Sequence, residues 1–455
     1  MSKKDRKKSK AGKWILGIVI GILAAAALFV LAAYINYRIS GGADVPETAK
    51  NDTGLVQAVG RGLYDKDGNE LILRGTNCGS TFITEGWLAP YCIAEPNGEE
   101  YPELSEEMFL QGLRSNPKLT DAQRRELLDL FYTTWFTEED VANIAELGMN
   151  CLRIPFYYTM ILNEDLTRKS EAEAFRYLDA ILGWCEKYGV YAVLDLHGAP
   201  GSQNGYEHGG SIDYNKYDAD TIRFWYTPEY VEAVKDLWTF VAEHYGKSEK
   251  GRIIASYDLL NEPRSRAFKT DKVCWDVYDQ IYDAVRAAGD RHNLIMEGCW
   301  SFANLPNPEK YGWENVTYSY HWYNWNASWL SNTFFFMYQD LSNIGRHYDV
   351  PVFIGEFTCF ADADDWNEEL SIFEDRHYSW TMWTYKMAVY GWWESSWGLY
   401  NLNYWEGYEY EYAKKVNVTT AGYDEIREAF LWTATENATK SSTYDTLKKY
   451  LEGID

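Results

Sequence analysis

Residues 136–156 read FTEEDVANIAELGMNCLRIPF, and this stretch decides the fold. Thr137 can cap a helix, Glu138, Glu139 and Asp140 fill its first turn, and Gly148 ends it. An apolar strand, Asn150–Phe156, follows at once. A helix that runs straight into a buried strand is half of a β/α unit, so the neighbouring sequence should repeat the alternation.

It does. Candidate strands fall at Leu71–Asn77, Asn150–Phe156, Val190–His197, Ile253–Asn261, Asn293–Glu297, Val316–Tyr323, Pro351–Phe357 and Gly391–Trp397. Helical periodicity occupies Glu171–Tyr188, Glu229–Tyr245, Cys274–Ala288 and Leu341–Tyr348 between them. Eight strands are what a closed (β/α)8 barrel, the TIM barrel, requires. An open doubly wound sheet usually has six, and no GxGxxG follows the first strand. A hairpin turning at Asp67-Gly68 should precede the barrel. Long insertions at Tyr91–Phe131, Ala199–Thr227 and Asn324–Phe335 should build the rim, the first partly helical at Ala122–Tyr132.

The N-terminus has a different character. Trp14–Ile35 is an almost unbroken apolar run, about the 20 residues that span a bilayer. Lys3, Lys4, Arg6, Lys7, Lys8, Lys10 and Lys13 precede it and should stay cytoplasmic. The expected organisation is a basic tail (1–13), a single transmembrane anchor (14–35), a linker (36–58) and an extracellular catalytic domain (59–455). A cleaved signal peptide is the competing reading, but its apolar core is usually only about 7–15 residues.

Net charge of −25 sets aside nucleic acid as a partner. Aromatic residues make up 17% of the chain, with 20 Trp and 37 Tyr, which suits both core packing and stacking on sugar rings. The seven Cys form no CxxC or other ligand spacing, so neither a disulfide framework nor a zinc site is expected.

Two strand ends carry the chemistry. YDLLNEP closes the fourth candidate strand with Glu262, and FIGEF closes the seventh with Glu356. Strands four and seven face one another across a barrel mouth, so two long carboxylate side chains can meet there. Two carboxylates about 5–5.5 Å apart are what a retaining glycosidase needs. Taken alone, Glu262 reads as a cap on the helix after the strand and Glu356 as an ion pair at a strand end; it is the two together that point to the chemistry. Arg153 at the end of the second strand can hold Glu356 ionised. His321 and Tyr323, two residues apart, share one face of the sixth strand. His197 ends the third, with a sugar hydroxyl as its expected partner. A metal site built from His197, His208 and Asp195 lacks a recognised ligand spacing. Asn261 and Glu262 are adjacent, and a regular strand would send them to opposite faces.

In these residues the sequence resembles glycoside hydrolase family 5, from about Gly60 to Gly398. LRGTN, WFTEEDVANIAELGMNCLRIPF, VLDLHGAPGSQNG, LLNEP, HWY and IGEF occur in the family's order and spacing, and the second and third resemble its exo-β-1,3-glucanase branch. The resemblance implies Glu262 as acid/base, Glu356 as nucleophile and Asn261 on the sugar 2-hydroxyl. It implies Arg153 as support for Glu356, and His321 and Tyr323 as groups that position the carboxyls. His197 and Asn77 would face substrate, and Trp393 or, failing that, Trp397 would be the aromatic platform. No metal and no organic cofactor is expected. The expected substrate is a β-glucan, β-1,3-linked in the favoured reading. An endo-β-1,4-glucanase and an inactive carbohydrate-binding surface protein are the alternatives.

Overall fold

The computed structural model describes residues 46–93, 104–211, 222–265, 270–323, 328–346, 348–390, 394–403 and 415–454, with scattered positions between 19 and 35. Eight parallel strands close into a barrel: β1 (Arg74–Asn77), β2 (Cys151–Tyr157), β3 (Tyr191–Gly198), β4 (Ile254–Asp258), β5 (Asn293–Glu297), β6 (Val316–Tyr323), β7 (Val352–Thr358) and β8 (Ser379–Met382). β8 pairs back onto β1 through Trp380 and Arg74. The expected TIM barrel is therefore present.

Seven strands lie where the sequence places them, within a few residues. The eighth does not. Gly391–Trp397 is not a strand of the barrel; Ser379–Met382 closes it, and residues 391–393 lie outside the described residues. The SWTM tetrad is only four residues long, whereas the longer aromatic run GWWESSW has the stronger β propensity.

Alternation along the strands divides the interior into a dry floor and a charged mouth. Cys151, Val193, Ile295 and Phe353 pack with Val56, Leu63 and Leu73 at the floor. Two residues further along the same faces stand Arg153, Asp195 and Glu297, all buried. The floor is closed by a hairpin of Gln57–Val59 and Gly62–Tyr64. The Asp67-Gly68 turn also forms, with Gly68 N–H donating to Asp65 O. Intervening residues such as Leu152, Ile154, Leu194 and Leu196 face the surrounding helices and join the main apolar core.

The helix that opens the diagnostic stretch runs Glu138–Glu146. Its start is secured by Asp140, which accepts from the Thr137 N–H (2.7 Å) and hydroxyl (3.0 Å). Gly148, at φ +89°, ends it in the left-handed region.

The described part of the Tyr91–Phe131 insertion holds more regular structure than the one helical stretch expected from the sequence. Helices Glu106–Ser115 and Asp121–Trp135 form within and beyond it, and Tyr91–Cys92 pairs with Val416–Asn417. The Asn116 amide donates to the Val418 and Ala421 carbonyls at 2.9 Å each, fixing the insertion to the C-terminal segment. All seven Cys are buried thiols that form no disulfide.

Among the described residues no helix is long and apolar enough to cross a membrane. Most of the Trp14–Ile35 run, and the basic tail before it, lies outside them.

Candidate active site

Glu356 reaches the mouth of the barrel through an irregularity. Between Ile354 and Phe357, β7 slips in register against β6, so Gly355 and Glu356 oppose His321. Glycine is required there, because a Cβ on Gly355 would stand 2.9 Å from the His321 ring nitrogen Nε2. A second slip between Phe156 and Tyr157 leaves His197 of β3 unpaired with β2. Both bulges re-aim a polar side chain where a regular strand would not.

Glu262 arrives differently. β4 ends at Asp258, and Glu262 has φ +44°, a left-handed conformation that costs a non-glycine residue on the order of 1 kcal/mol. Its N–H donates to Glu297 Oε2 at 2.9 Å, which holds the turn. This resolves the expected conflict between Asn261 and Glu262: neither lies on the strand, and both line one cavity.

One carboxylate oxygen each from Glu262 and Glu356, and a ring nitrogen of His321, lie within 4.8 Å of one another. His321 Nδ1 is 2.8 Å from Glu262 Oε1 and 3.4 Å from Glu356 Oε2. Tyr323 donates its hydroxyl proton to Glu356 Oε2 at 2.8 Å. Arg153, completely buried, donates to Glu356 Oε1 (3.0 Å), Asp258 Oδ2 (3.0 Å), Asn77 Oδ1 (3.1 Å) and Asn261 Oδ1 (2.9 Å), and lies 3.1 Å from Asp195 Oδ2.

These contacts set the remaining geometry. Asn261 gives its oxygen to Arg153, so its Nδ2 faces His197 Nε2 at 3.3 Å. His197 therefore accepts at Nε2 and donates from Nδ1 to Asp195 Oδ2 at 2.6 Å. Burial drives the His197 ring well below its usual value, so it stays neutral. Burial likewise lifts Asp195 and Asp258 to about 7 each, opposed by the Arg153 charge. Burial works against the Arg153 charge, but Asp195, Asp258 and Glu356 raise its value above the ordinary one.

Glu262 departs from expectation. Its burial raises it, but His208 and His321 outweigh burial and hold it well below the usual carboxylate range. The nearby charge of Glu356 would by itself favour the protonated form of Glu262. The two imidazoles act in the opposite sense, and of these His208 was not visible in the sequence as a neighbour of Glu262.

Asn77, expected on the substrate, lies beneath the cavity instead. Its oxygen accepts from Arg153, and its Nδ2 donates to the Gly355 (3.0 Å) and Met382 (3.1 Å) carbonyls. Trp397 lines the cavity, packed on Trp87 with ring centroids 4.8 Å apart. Trp393 lies outside the described residues. The ring at the end of β8 is Trp383, nearly parallel to His197 at 5.5 Å. Reading the eighth strand twelve residues late hid it.

The cavity measures about 420 Å³. Its wall also holds Glu85, Trp87, Tyr206, Glu207, His208, Arg264 and Trp300, which the sequence did not single out as pocket residues. Burial pushes Glu85 up to about 8, and Trp87 Nε1 donates to its Oε2 at 2.7 Å. These residues sit on loops without periodicity; clustered aromatics beside acids were the available signal.

Among the described residues Glu262, His321 and Glu356 converge closely enough to hold a metal ion. Their donors are already committed, however. Both Glu356 oxygens accept from Arg153 and Tyr323, both Glu262 oxygens face imidazoles, and the Arg153 cation stands beside them. The set fits a pair of hydrogen-bonded carboxylates better than a cation site. Asp195 and His197 touch, but His208 turns to Glu262, so the three do not converge.

Residues 120–389 match the family described as Cellulase (glycosyl hydrolase family 5). A β-xylosidase of Phanerodontia chrysosporium is 32% identical over 278 residues, 58% of this chain and 51% of that protein. A glucan 1,3-β-glucosidase of Yarrowia lipolytica is 30% identical over 278 residues, 59% of this chain and 61% of that protein. The chain thus spans about half to three-fifths of the length of these curated relatives. The crystal structure of rutinosidase from Aspergillus niger aligns with a TM-score of 0.50 at 15% identity, over 70% of this chain and 90% of that one, a likeness of fold.

Proposed function

The chain belongs to glycosyl hydrolase family 5, and on that premise we propose that it hydrolyses β-glucosidic bonds of β-glucans with retention of configuration. The observation that carries the reading is the approach of the Glu262 and Glu356 carboxylates to within 4.8 Å. Retaining enzymes hold their carboxyls about 5–5.5 Å apart, whereas inverting ones need about 6.5–9.5 Å to admit a water.

Glu356 is the nucleophile in this scheme. Arg153 and Tyr323 leave it oriented, and its oxygen attacks the anomeric carbon as the glycosidic C–O bond breaks. Glu262 delivers a proton to the departing oxygen. Water then attacks the glycosyl-enzyme, gives its proton to Glu262 and frees Glu356 as a carboxylate. Asn261 and His197 meet the sugar hydroxyls, and Trp383 joins Trp393 and Trp397 as a proposed stacking platform.

β-1,3-Glucan is the favoured substrate, supported by the glucan 1,3-β-glucosidases among the relatives. The family match to cellulases keeps β-1,4-glucan as the second reading. Sugar release from β-1,3-, β-1,4- and β-1,6-glucans tests this: β-1,3-glucan should be turned over fastest. Binding without release from any of them would make the chain a carbohydrate receptor. The outer face of a membrane, reached through the apolar run 14–35, is the proposed location; the run's length and its basic flank support it.

A further inference from the structure

Glu262 is held by two imidazoles, His321 and His208, and the scheme above gives neither a role. His321 belongs to β6 and bridges both carboxylates. His208 comes from the turn Glu207–Gly209 in the loop after β3, and its Nε2 stands 2.9 Å from Glu262 Oε2.

That loop is built to keep it there. Gln203 donates to the carbonyls of His197 and Asn261 at 2.8 Å each, tying the loop to the ends of β3 and β4. Gly205 N–H donates to Ser202 Oγ at 2.8 Å, and Tyr206 N–H to Asn204 Oδ1 at 3.0 Å. The His208 ring lies nearly parallel to Tyr206, with centroids 5.4 Å apart, and Arg264 covers Tyr206 at 3.8 Å. Behind the turn, a Cβ on Gly209 would meet Asn204 Oδ1 at 2.4 Å, and one on Gly210, at φ +81°, the Tyr157 ring at 2.2 Å. Only glycines allow the turn this close an approach.

We propose that His208 is a positioning residue for the acid/base, forming with Glu262 a carboxylate–imidazole pair that carries one exchangeable proton to the leaving oxygen. This rests on the acid/base role proposed for Glu262. In the first step Glu356 bonds to the anomeric carbon and the glycosidic bond breaks. The leaving oxygen takes a proton from the Glu262 carboxyl, and the pair is left as carboxylate and neutral imidazole. In the second, water bonds to the anomeric carbon, its proton returns to the pair, and Glu356 leaves with its electron pair.

The charges around His208 support the arrangement. Glu262 faces it from the end of β4, Glu207 from its own turn and Glu85 from the loop after β1; Arg264 stands behind Tyr206 and neutral His197 across the cavity. Burial lowers the ring, but the Glu262 contact and charge lift it to about 10. With Glu262 depressed and His208 raised, the pair keeps one proton throughout the interval between them and loses it only as pH rises through the His208 value. Without His208, Glu262 loses the cation that depresses it, and the proton is lost at the carboxyl's own, lower value.

The test is the pH profile of kcat/KM on a β-glucan oligosaccharide and on an aryl β-glucoside with a good leaving group. His208→Ala should lower the alkaline limb on the oligosaccharide by at least one pH unit, and added imidazole should restore it. The aryl glucoside, which needs no acid, should change far less. His208→Gln, which keeps volume and a donor but cannot titrate, should behave as His208→Ala without imidazole; thermal unfolding verifies both folds. Alongside, NMR of labelled histidine should find the His208 ring charged beyond pH 9 and, in Glu262→Gln, titrating lower. An unmoved alkaline limb, or a His208 ring titrating near 6.5 in both proteins, overturns the pair. Failure of the wild type to release sugar from any β-glucan, with the NMR result as expected, overturns the acid/base role and not the pairing.

Discussion

Glu356→Ala should lose turnover of a β-glucan by about 10⁴-fold or more, and added azide should restore part of it, yielding an α-glycosyl azide. The side chain is placed for attack and little else. Its two oxygens are taken by Arg153 and Tyr323, its backbone sits at a bulge, and among the described residues Glu262 is the carboxylate that converges with it at His321. Removing it opens space on the face from which it attacks, and a small anion entering there gives the inverted product. Glu262→Ala should differ in kind. It should lose about 10²–10⁴-fold on natural glycan, keep the first step on aryl glucosides, and with azide give the β-product, because azide then attacks the glycosyl-enzyme. Rates and product anomers for both variants check this; full activity of either on glycan contradicts the assignment.

The second large effect concerns stability. Arg153→Met should destabilise the fold by about 3–5 kcal/mol, since it strands Asp195, Asp258 and Glu356 in a buried site without their cation. The loss should depend on pH with a definite sign. Asp195 and Asp258 are already raised to about 7. A carboxyl raised on folding contributes stability in full below its unfolded value near 4, and loses that contribution as pH rises through its folded value. Without Arg153 both values climb further, so the deficit widens from pH 5 to pH 8. Thermal unfolding at the two pH values measures it. An equal Tm deficit at both, or none, would show that the guanidinium does not neutralise this cluster.

The barrel was legible because its strands are long, apolar and separated by capped helices, as FTEEDVANIAELGMNCLRIPF shows. Alternation also puts Arg153 two residues above the floor residue Cys151, and His321 and Tyr323 on one face of β6. Legibility failed where position comes from irregular backbone. The bulge at Gly355–Glu356 and the left-handed Glu262 cannot be read from a period-two pattern, although the conflict at Asn261–Glu262 announced that something there must bend. Ser379–Met382 escaped because four residues with one Trp carry less signal than the aromatic run after them. Asn77 was read by its strand end, yet its amide serves Arg153 and two carbonyls. His208 meets Glu262 only because Gln203 and two glycines fold the loop back, a contact between residues 54 positions apart that no local rule foretells.

The separation of the two carboxylates makes one claim about chemistry that a single spectrum can decide. Proton NMR of the sugar first released from a β-glucan, recorded before mutarotation, should show the β-anomer. An α-anomer as first product would mean that water, not Glu356, attacks the anomeric carbon, and would contradict the account at its centre.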